Sequence, residues 1–353
     1  MEATIAIESS GYGGAGVGRL PDGRVCFVHG TLPGERARVR IVRSKKNHAE
    51  AELVSLAEAS PRRVKPRCPV FGTCGGCAYQ HADYELQLEF KTAQVRDLLK
   101  RLGGFADAPV EPAIASPLQY GYRNRISLHA SHEGIGFFRR DSHDIVAVDA
   151  CPLASDSVNA QIPALRSRRI RPGNRVTLRE PDAPQGFSQV NPGAAELLAD
   201  AVCSMAGVGG LLIDGYCGSG FFTRKLRGNF EKAIGIESGS GAVHTARALA
   251  AGNDTYLEGS VESLLPTTLA RADAATTTLL VDPPAAGLSP QALAAIVENP
   301  PARLVYVSCD PATFARDARR LADFFSLDRV QPVDMFPQTA DIEIAALLVL
   351  KNP

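Results

Sequence analysis

From Arg36 to Ile41 apolar and basic residues alternate: Ala37, Val39 and Ile41 fall on one face of an extended chain, Arg36, Arg38 and Arg40 on the other. Successive side chains of a strand point to opposite faces, so the segment reads as a half-buried strand with a basic row turned outward. The first 58 residues read throughout as short strands, separated by turns at the glycines between Gly11 and Gly18 and at Pro33-Gly34. A closed barrel of about five strands is the natural outcome, an architecture that commonly serves as an oligonucleotide platform.

Beyond the barrel the pattern breaks. Pro61 to Gly76 is rich in Pro, Gly and Cys, which predicts a loop ordered by something other than a core. Leu86, Phe90, Val95, Leu98, Leu99 and Leu102 then recur at helical spacing, with Asp83 as a cap and Gly103-Gly104 as the stop. Residues 110–180 read as strand-rich, with apolar stretches at Ile126, Leu128 and Ile135 to Phe138 and an arginine cluster at Arg166, Arg168, Arg169 and Arg171. After about residue 181 short apolar runs alternate with helical patterns: Leu211–Ile213, Ala233–Ile236, Leu279–Val281, Leu304–Val307 and Ala345–Leu350. That alternation predicts a parallel sheet with crossover helices, the first helix opened by Asn191-Pro192 as cap and first helical residue. Three regions follow: 1–58, 59–180 and 181–353, the helix from 83 to 102 being placed to pack on the last.

Charge refines this division. The 353 residues carry no net charge, yet residues 1–179 hold 26 Lys and Arg against 18 Asp and Glu, and residues 180–353 hold 12 against 20. Ten of the basic residues crowd into 36–67 beside only Glu50, Glu52 and Glu58. Such an imbalance suits a polyanion, although a solvated basic face has the same appearance. No run of 18 apolar residues and no leader-like apolar start is present, so a cytoplasmic protein without membrane attachment is expected. Nothing calls for an obligate protein partner.

Eight cysteines in such a chain are read for metal or catalysis before disulfides. Cys68, Cys74 and Cys77 form C-x5-C-x2-C, while Cys26, Cys151, Cys203, Cys217 and Cys309 stand singly. The strongest signal in the last region is Leu211–Gly220 (LLIDGYCGSG), a strand entering a glycine loop that opens a helix. Gly218 and Gly220 would let the backbone approach a cofactor, and Glu237, at the end of the next strand, would accept ribose hydroxyls. The loop is neither a Walker motif nor G-x-G-x-x-G, which favours S-adenosylmethionine over phosphate transfer or dinucleotide redox. Asp282 (VDPP) and Cys309 (VSCDP) end two further strands and would share the crevice beyond the carboxyl ends of the sheet, where a nucleophile belongs.

At this point the chain resembles the uridine-C5 RNA methyltransferase family, which forms 5-methyluridine in transfer and ribosomal RNA. The resemblance spans nearly the whole length. Residues 1–58 look like a TRAM domain, an RNA-binding β-barrel. C-x5-C-x2-C at Cys68, Cys74 and Cys77, with Cys151 in ACPL, resembles the four ligands of the family's 4Fe-4S cluster, in a small β-rich central region. Phe187-Ser-Gln189-Val-Asn191 and YCGSG resemble its cofactor motifs, VSCDPATFARD its nucleophile segment, and Phe336-Pro-Gln-Thr-Ala-Asp-Ile-Glu343 its F-P-H-T-x-H-x-E. The resemblance implies a Rossmann-like α/β methyltransferase domain over 181–353. It implies S-adenosylmethionine held by Gln189, Tyr216, Gly218, Gly220, Phe221, Glu237 and Asp282, an RNA substrate, Cys309 as nucleophile and Glu343 as base.

The chemistry suits those residue types. Carbon 5 of uracil is a poor nucleophile until a thiolate adds at carbon 6 and creates an enolate, so covalent catalysis divides one difficult step. The C5 proton must then leave, work for a carboxylate base. A uridine has to be extruded from its stack to reach such a pocket. Four positions depart from the family pattern: Phe221 stands in place of Asn, Ala285 in place of Arg, and Gln338 and Asp341 in place of two histidines. Asp341 is an alternative base. Competing readings are a zinc site at the four cysteines, an RNA-binding protein without catalysis, and cytosine-C5 methylation, whose enzymes carry another cysteine in the motif where Asp282-Pro-Pro-Ala285 stands here.

Overall fold

The structure, a computed structural model, describes residues 1–351 except 133, 167–169 and 182–188. Phe187, Arg168 and Arg169 thus lie outside the described residues.

The first five strands, β1 (Glu2–Ser10), β2 (Ala15–Arg19), β3 (Val25–His29), β4 (Arg36–Ser44) and β5 (His48–Glu58), close into a barrel in the order β1-β2-β3-β5-β4. Ala37 and Val39 are fully buried with Ile5, Ile7, Val28 and Ala49, as the alternation predicts. The outward arginines are not bare. Glu58 answers Arg36, Glu2 answers Arg38 and Arg40, and Glu50 answers Arg43 and Lys45. Exposed pairs of this kind contribute only about 0–1 kcal/mol each, so an incoming polyanion can displace them.

Helix α1 (Tyr84–Leu98) starts where Asp83 accepts a hydrogen bond from the Leu86 amide. Its continuation, Leu99–Gly103, widens into a π-helical turn that ends at Gly104, whose φ of 79° is left-handed. Leu86, Phe90, Val95 and Leu98 are buried, but so are Gln87, Lys91 and Gln94, because the helix is packed on more than one side. Next come β6 (Arg125–Ser131), β7 (Gly134–Phe138), β8 (Ile145–Ala147), α2 (Asp156–Asn159), α3 (Ile162–Arg166) and β9 (Arg175–Arg179). The four strands form one antiparallel sheet, β8-β7-β6-β9, over a small core of Ile126, Leu128, Val158, Leu165 and Leu178.

The remaining chain forms α4 (Pro192–Ala206), β10 (Gly209–Gly215), α5 (Phe221–Leu226), β11 (Phe230–Glu237), α6 (Ser240–Ala248), β12 (Asp254–Glu258), α7 (Val261–Leu269), β13 (Thr277–Val281), α8 (Pro290–Glu298), β14 (Arg303–Ser308), α9 (Pro311–Leu321), β15 (Phe325–Val333) and β16 (Glu343–Leu350). Asn191 caps α4 through the Ala194 amide, with Pro192 at the first helical position. The seven strands order as β12-β11-β10-β13-β14-β16-β15 with helix-borne core clusters on the sheet. β10 to β14 run parallel, whereas β16 is antiparallel to both β14 and β15. The departure from an all-parallel sheet has a simple cause: only residues 334–342 join β15 to β16, too few for a crossover helix. β12 and β15, which the apolar runs did not reveal, are the two edge strands.

Candidate active site

Asp214, Glu237, Asp282 and Cys309 sit at the carboxyl ends of β10, β11, β13 and β14, and Glu343 opens β16. β10 delivers Asp214, fully buried, whose Oδ2 accepts from the Thr223 amide and hydroxyl at 3.1 and 2.6 Å. Its Oδ1 has no partner, and burial pushes its pKa up to about 7. The glycine loop then turns through three left-handed residues, Tyr216 (φ 63°), Gly218 (φ 54°) and Gly220 (φ 79°). A Cβ on Gly218 would meet open space, whereas one on Gly220 would come within 2.7 Å of the Tyr256 hydroxyl. Glu237, closing β11, receives the Gly218 amide on Oε2 and the Gly239 amide on Oε1. The open backbone beside a strand-end carboxylate is what an adenosine-bearing ligand requires.

Of the other predicted ligands, Tyr216 gives its hydroxyl to Glu262 at 3.0 Å. Phe221 turns its ring edge-on to Phe222 and packs against the apolar cluster under α4. Gln189 is half-buried, with its carbonyl accepting from Asn124. Cys217 is buried against Val243, Ala246 and Tyr256, and Cys26 lies in the barrel core, both as small apolar residues.

Cys309 follows directly on β14 and is exposed. The turn that presents it is fixed on both sides. Ser308 Oγ donates to the Asp310 carbonyl and accepts from the Asp310 amide, while Asp310 Oδ1 caps α9 through the amides of Ala312 and Thr313. Partial burial, with the nearby negative charges of Glu343 and Asp282, pushes the Cys309 thiol up to about 11. Glu343 is 7% exposed, and burial beside Asp282 and Asp341 holds its pKa well above the usual carboxylate range. Asp282 is itself raised to about 6 by burial. Asp341, by contrast, is exposed, and its carboxylate receives the Thr339 hydroxyl. Cys309, Asp282 and Glu343 thus lie within electrostatic reach of one another, and Asp341, also within reach of Glu343, stays exposed. Ala285 lies on an exposed turn.

The cysteine quartet lines a cavity of about 890 Å³ together with Arg123, Arg125, Arg175, Arg179 and Asp341. Gln80 ties the loop: its side-chain oxygen accepts from the Cys68 amide and its nitrogen donates to Cys77 Sγ. Burial raises the thiols of Cys74, Cys77 (to about 12) and Cys151, and the other cysteines of the set add to each shift. Among the described residues, no group of three or more His, Cys, Asp or Glu is placed to hold a metal ion. The donor set nevertheless has the right chemistry for a thiolate-bound group, since all four cysteines border one cavity that Arg123 also lines.

The TRAM domain matches residues 2–54, and the tRNA (Uracil-5-)-methyltransferase family matches residues 267–351. An uncharacterized RNA methyltransferase of Gloeobacter violaceus is 34% identical over 98% of this chain and 96% of its own length. The chain belongs to the RNA (uracil-5-)-methyltransferase family. A second uncharacterized RNA methyltransferase, from Synechocystis, is 32% identical to this methyltransferase over 99% of the chain and 96% of the relative. Its fold is also that of the Pyrococcus abyssi tRNA (uracil-54, C5)-methyltransferase crystallised with S-adenosyl-L-homocysteine, at 26% identity and a TM-score of 0.72, covering 99% of this chain and all of that one. Among the described residues of the methyltransferase no helix is long and apolar enough to cross a membrane.

Sequence reasoning missed the supports. Lys91 and Asp334 form a fully buried ion pair at 2.6 Å, and Lys91 also donates to the Phe336 carbonyl, so α1 grips the segment that leads to Glu343. Gln94 donates to Tyr79, Ser10 and Gly11. A polar residue on the apolar stripe of a helix was the available signal.

Proposed function

We propose that this methyltransferase transfers a methyl group from S-adenosylmethionine to carbon 5 of a uridine in transfer or ribosomal RNA. The observation that supports the reading is the exposed thiol of Cys309, directly after β14, within electrostatic reach of the buried carboxyl of Glu343 and the half-buried one of Asp282. Cys309, as thiolate, adds to uracil carbon 6, and the electron pair displaced from the C5–C6 bond makes carbon 5 nucleophilic. S-adenosylmethionine supplies the electrophilic methyl, and the glycine loop with Glu237 and the Asp282 side would hold it; Gln189, Tyr216 and Phe221 stand in that ligand set. Glu343 takes the C5 proton, and the C–H electrons re-form the double bond as the cysteine departs. A buried carboxyl with a raised pKa is a stronger base for that proton than an exposed one, which favours Glu343 over Asp341.

Cys68, Cys74, Cys77 and Cys151 would hold a 4Fe-4S cluster with all four irons ligated, in a structural or RNA-contacting role. Iron and acid-labile sulfide in anaerobically purified protein support this; zinc in their place overturns it. The function itself is tested by nucleoside mass spectrometry on unmodified transfer RNA and ribosomal RNA. New 5-methyluridine in one pool, lost in Cys309→Ala, is the expected result. Methylation that survives in Cys309→Ala, or that appears on cytidine, overturns the assignment.

A further inference from the structure

One aromatic side chain at the reaction site comes from the barrel. Tyr12 lies in the β1–β2 turn, 298 residues before Asp310, and its hydroxyl donates to Asp310 Oδ1 at 3.3 Å. That is the oxygen that caps α9 directly after Cys309. The hydroxyl's titration is raised first by burial and then by Asp310, Asp341 and Cys309, which places it within electrostatic reach of all three. The ring is 43% exposed.

The turn that carries Tyr12 is anchored on several sides. Gln94 of α1 donates to the carbonyls of Ser10 and Gly11. Gly14, at a left-handed φ of 88°, sits so close to Ala78, Tyr79 and Ala340 that a Cβ there would come within 2.6 Å of Ala78 Cβ. Gly13 borders the cysteine-lined cavity, as do Thr339, Ala340 and Asp341 of the segment before Glu343. A large, half-exposed aromatic is therefore held beside the nucleophile from a turn with little freedom to move. Every base has a π-face, and stacking on an aromatic side chain is the usual protein contact for a base taken out of its helix.

We propose that Tyr12 is a substrate-contacting residue of the methyl-transfer site, its ring forming a stacking wall for the uracil presented to Cys309 while its hydroxyl keeps the ring in place through Asp310. The inference rests on the uridine-methylation reading and adds to it that the barrel supplies part of the reaction site.

The experiment compares Tyr12→Phe and Tyr12→Ala with the full-length protein on unmodified transfer-RNA and ribosomal-RNA transcripts. Loss of the ring raises KM for RNA on the order of 10- to 100-fold, with KM for S-adenosylmethionine unchanged, whereas Tyr12→Phe, which keeps the ring and loses only its tether to Asp310, raises the RNA KM several-fold less than Tyr12→Ala. A wild-type RNA KM in Tyr12→Ala overturns the stacking role, as does equal impairment of both variants. Fluorescence anisotropy with the same transcripts reads the ring apart from turnover. If the parent methylates neither pool, the function assigned above fails by itself, and the stacking wall then stands or falls on whether Tyr12→Ala binds RNA more weakly than the parent.

Discussion

Gln87 and Gln338 hold each other by a reciprocal pair of hydrogen bonds. Gln87 Nε2 donates to Gln338 Oε1, and the Gln338 amide donates to Gln87 Oε1, both at 3.0 Å in a buried setting. The Gln338 carbonyl in turn accepts from the amides of Ala78 and Tyr79, directly after Cys77. One residue in a left-handed conformation, φ 72°, thereby joins α1, the cysteine loop and the segment that leads into Glu343. It occupies a position where the family pattern has histidine, so the replacement has a structural role of its own.

Gln87→Ala should leave a buried amide without a partner and destabilise the protein by about 1–3 kcal/mol. In a double-mutant cycle with Gln338→Ala the two losses should be far from additive. Urea unfolding followed by circular dichroism provides the comparison; additive losses would show that the pair does not act as a unit.

Replacing Lys91 by Met should strip the fully buried Asp334 of its cation and cost about 3–5 kcal/mol. The double replacement Lys91→Met with Asp334→Leu should recover most of that loss, because no uncompensated charge then remains inside. A lower melting temperature for the single than for the double variant is the expected order.

With the thiol of Cys309 raised to about 11 by burial, Glu343 and Asp282, the adduct formation proposed above should be alkali-dependent. Single-turnover trapping on RNA containing 5-fluorouridine should accelerate roughly tenfold per pH unit between pH 7 and 9, since only the thiolate attacks. Glu343→Gln removes one of the charges opposing ionisation, so its profile should shift to lower pH while release of methylated product stops. A flat profile in the parent would show that ionisation of Cys309 does not control the step.

Gly220→Ala should damage the cofactor loop. A left-handed backbone costs an L-residue roughly 1–2 kcal/mol, and the new methyl would meet the Tyr256 hydroxyl at 2.7 Å. Calorimetric titration with S-adenosylhomocysteine should show affinity reduced on the order of tenfold or more; Gly218→Ala, strained but unobstructed, should lose less.

The glycine loop, the strand-end Asp282 and Cys309 and the clustered cysteines were legible because each is a short run of sequence whose residue types imply chemistry. The cap at Asp83, the alternation in β4 and the cap at Asn191 were legible for the same reason of locality. The supports were not. Lys91 meets Asp334 across 243 positions, Gln87 meets Gln338 across 251, and Tyr12 meets Asp310 across 298. No periodicity or spacing encodes such pairings, since they depend on how three layers of chain settle on one another. The ion pairs of the barrel arginines escaped for a related reason: their carboxylates are neighbours across strands rather than along them.

The Tyr12–Asp310 contact and the position of Glu343 at the start of β16 mean that the candidate site draws on segments more than 300 residues apart, from the barrel to the last strand described. A chain still under synthesis can complete its barrel and its cysteine loop early. It cannot seat Glu343 until β16 inserts between β14 and β15, a closure that belongs among the slow, non-local steps of folding. An unfinished or C-terminally shortened copy could therefore retain an RNA-facing barrel while holding no reaction site, and would compete with the finished enzyme for the same RNA instead of modifying it.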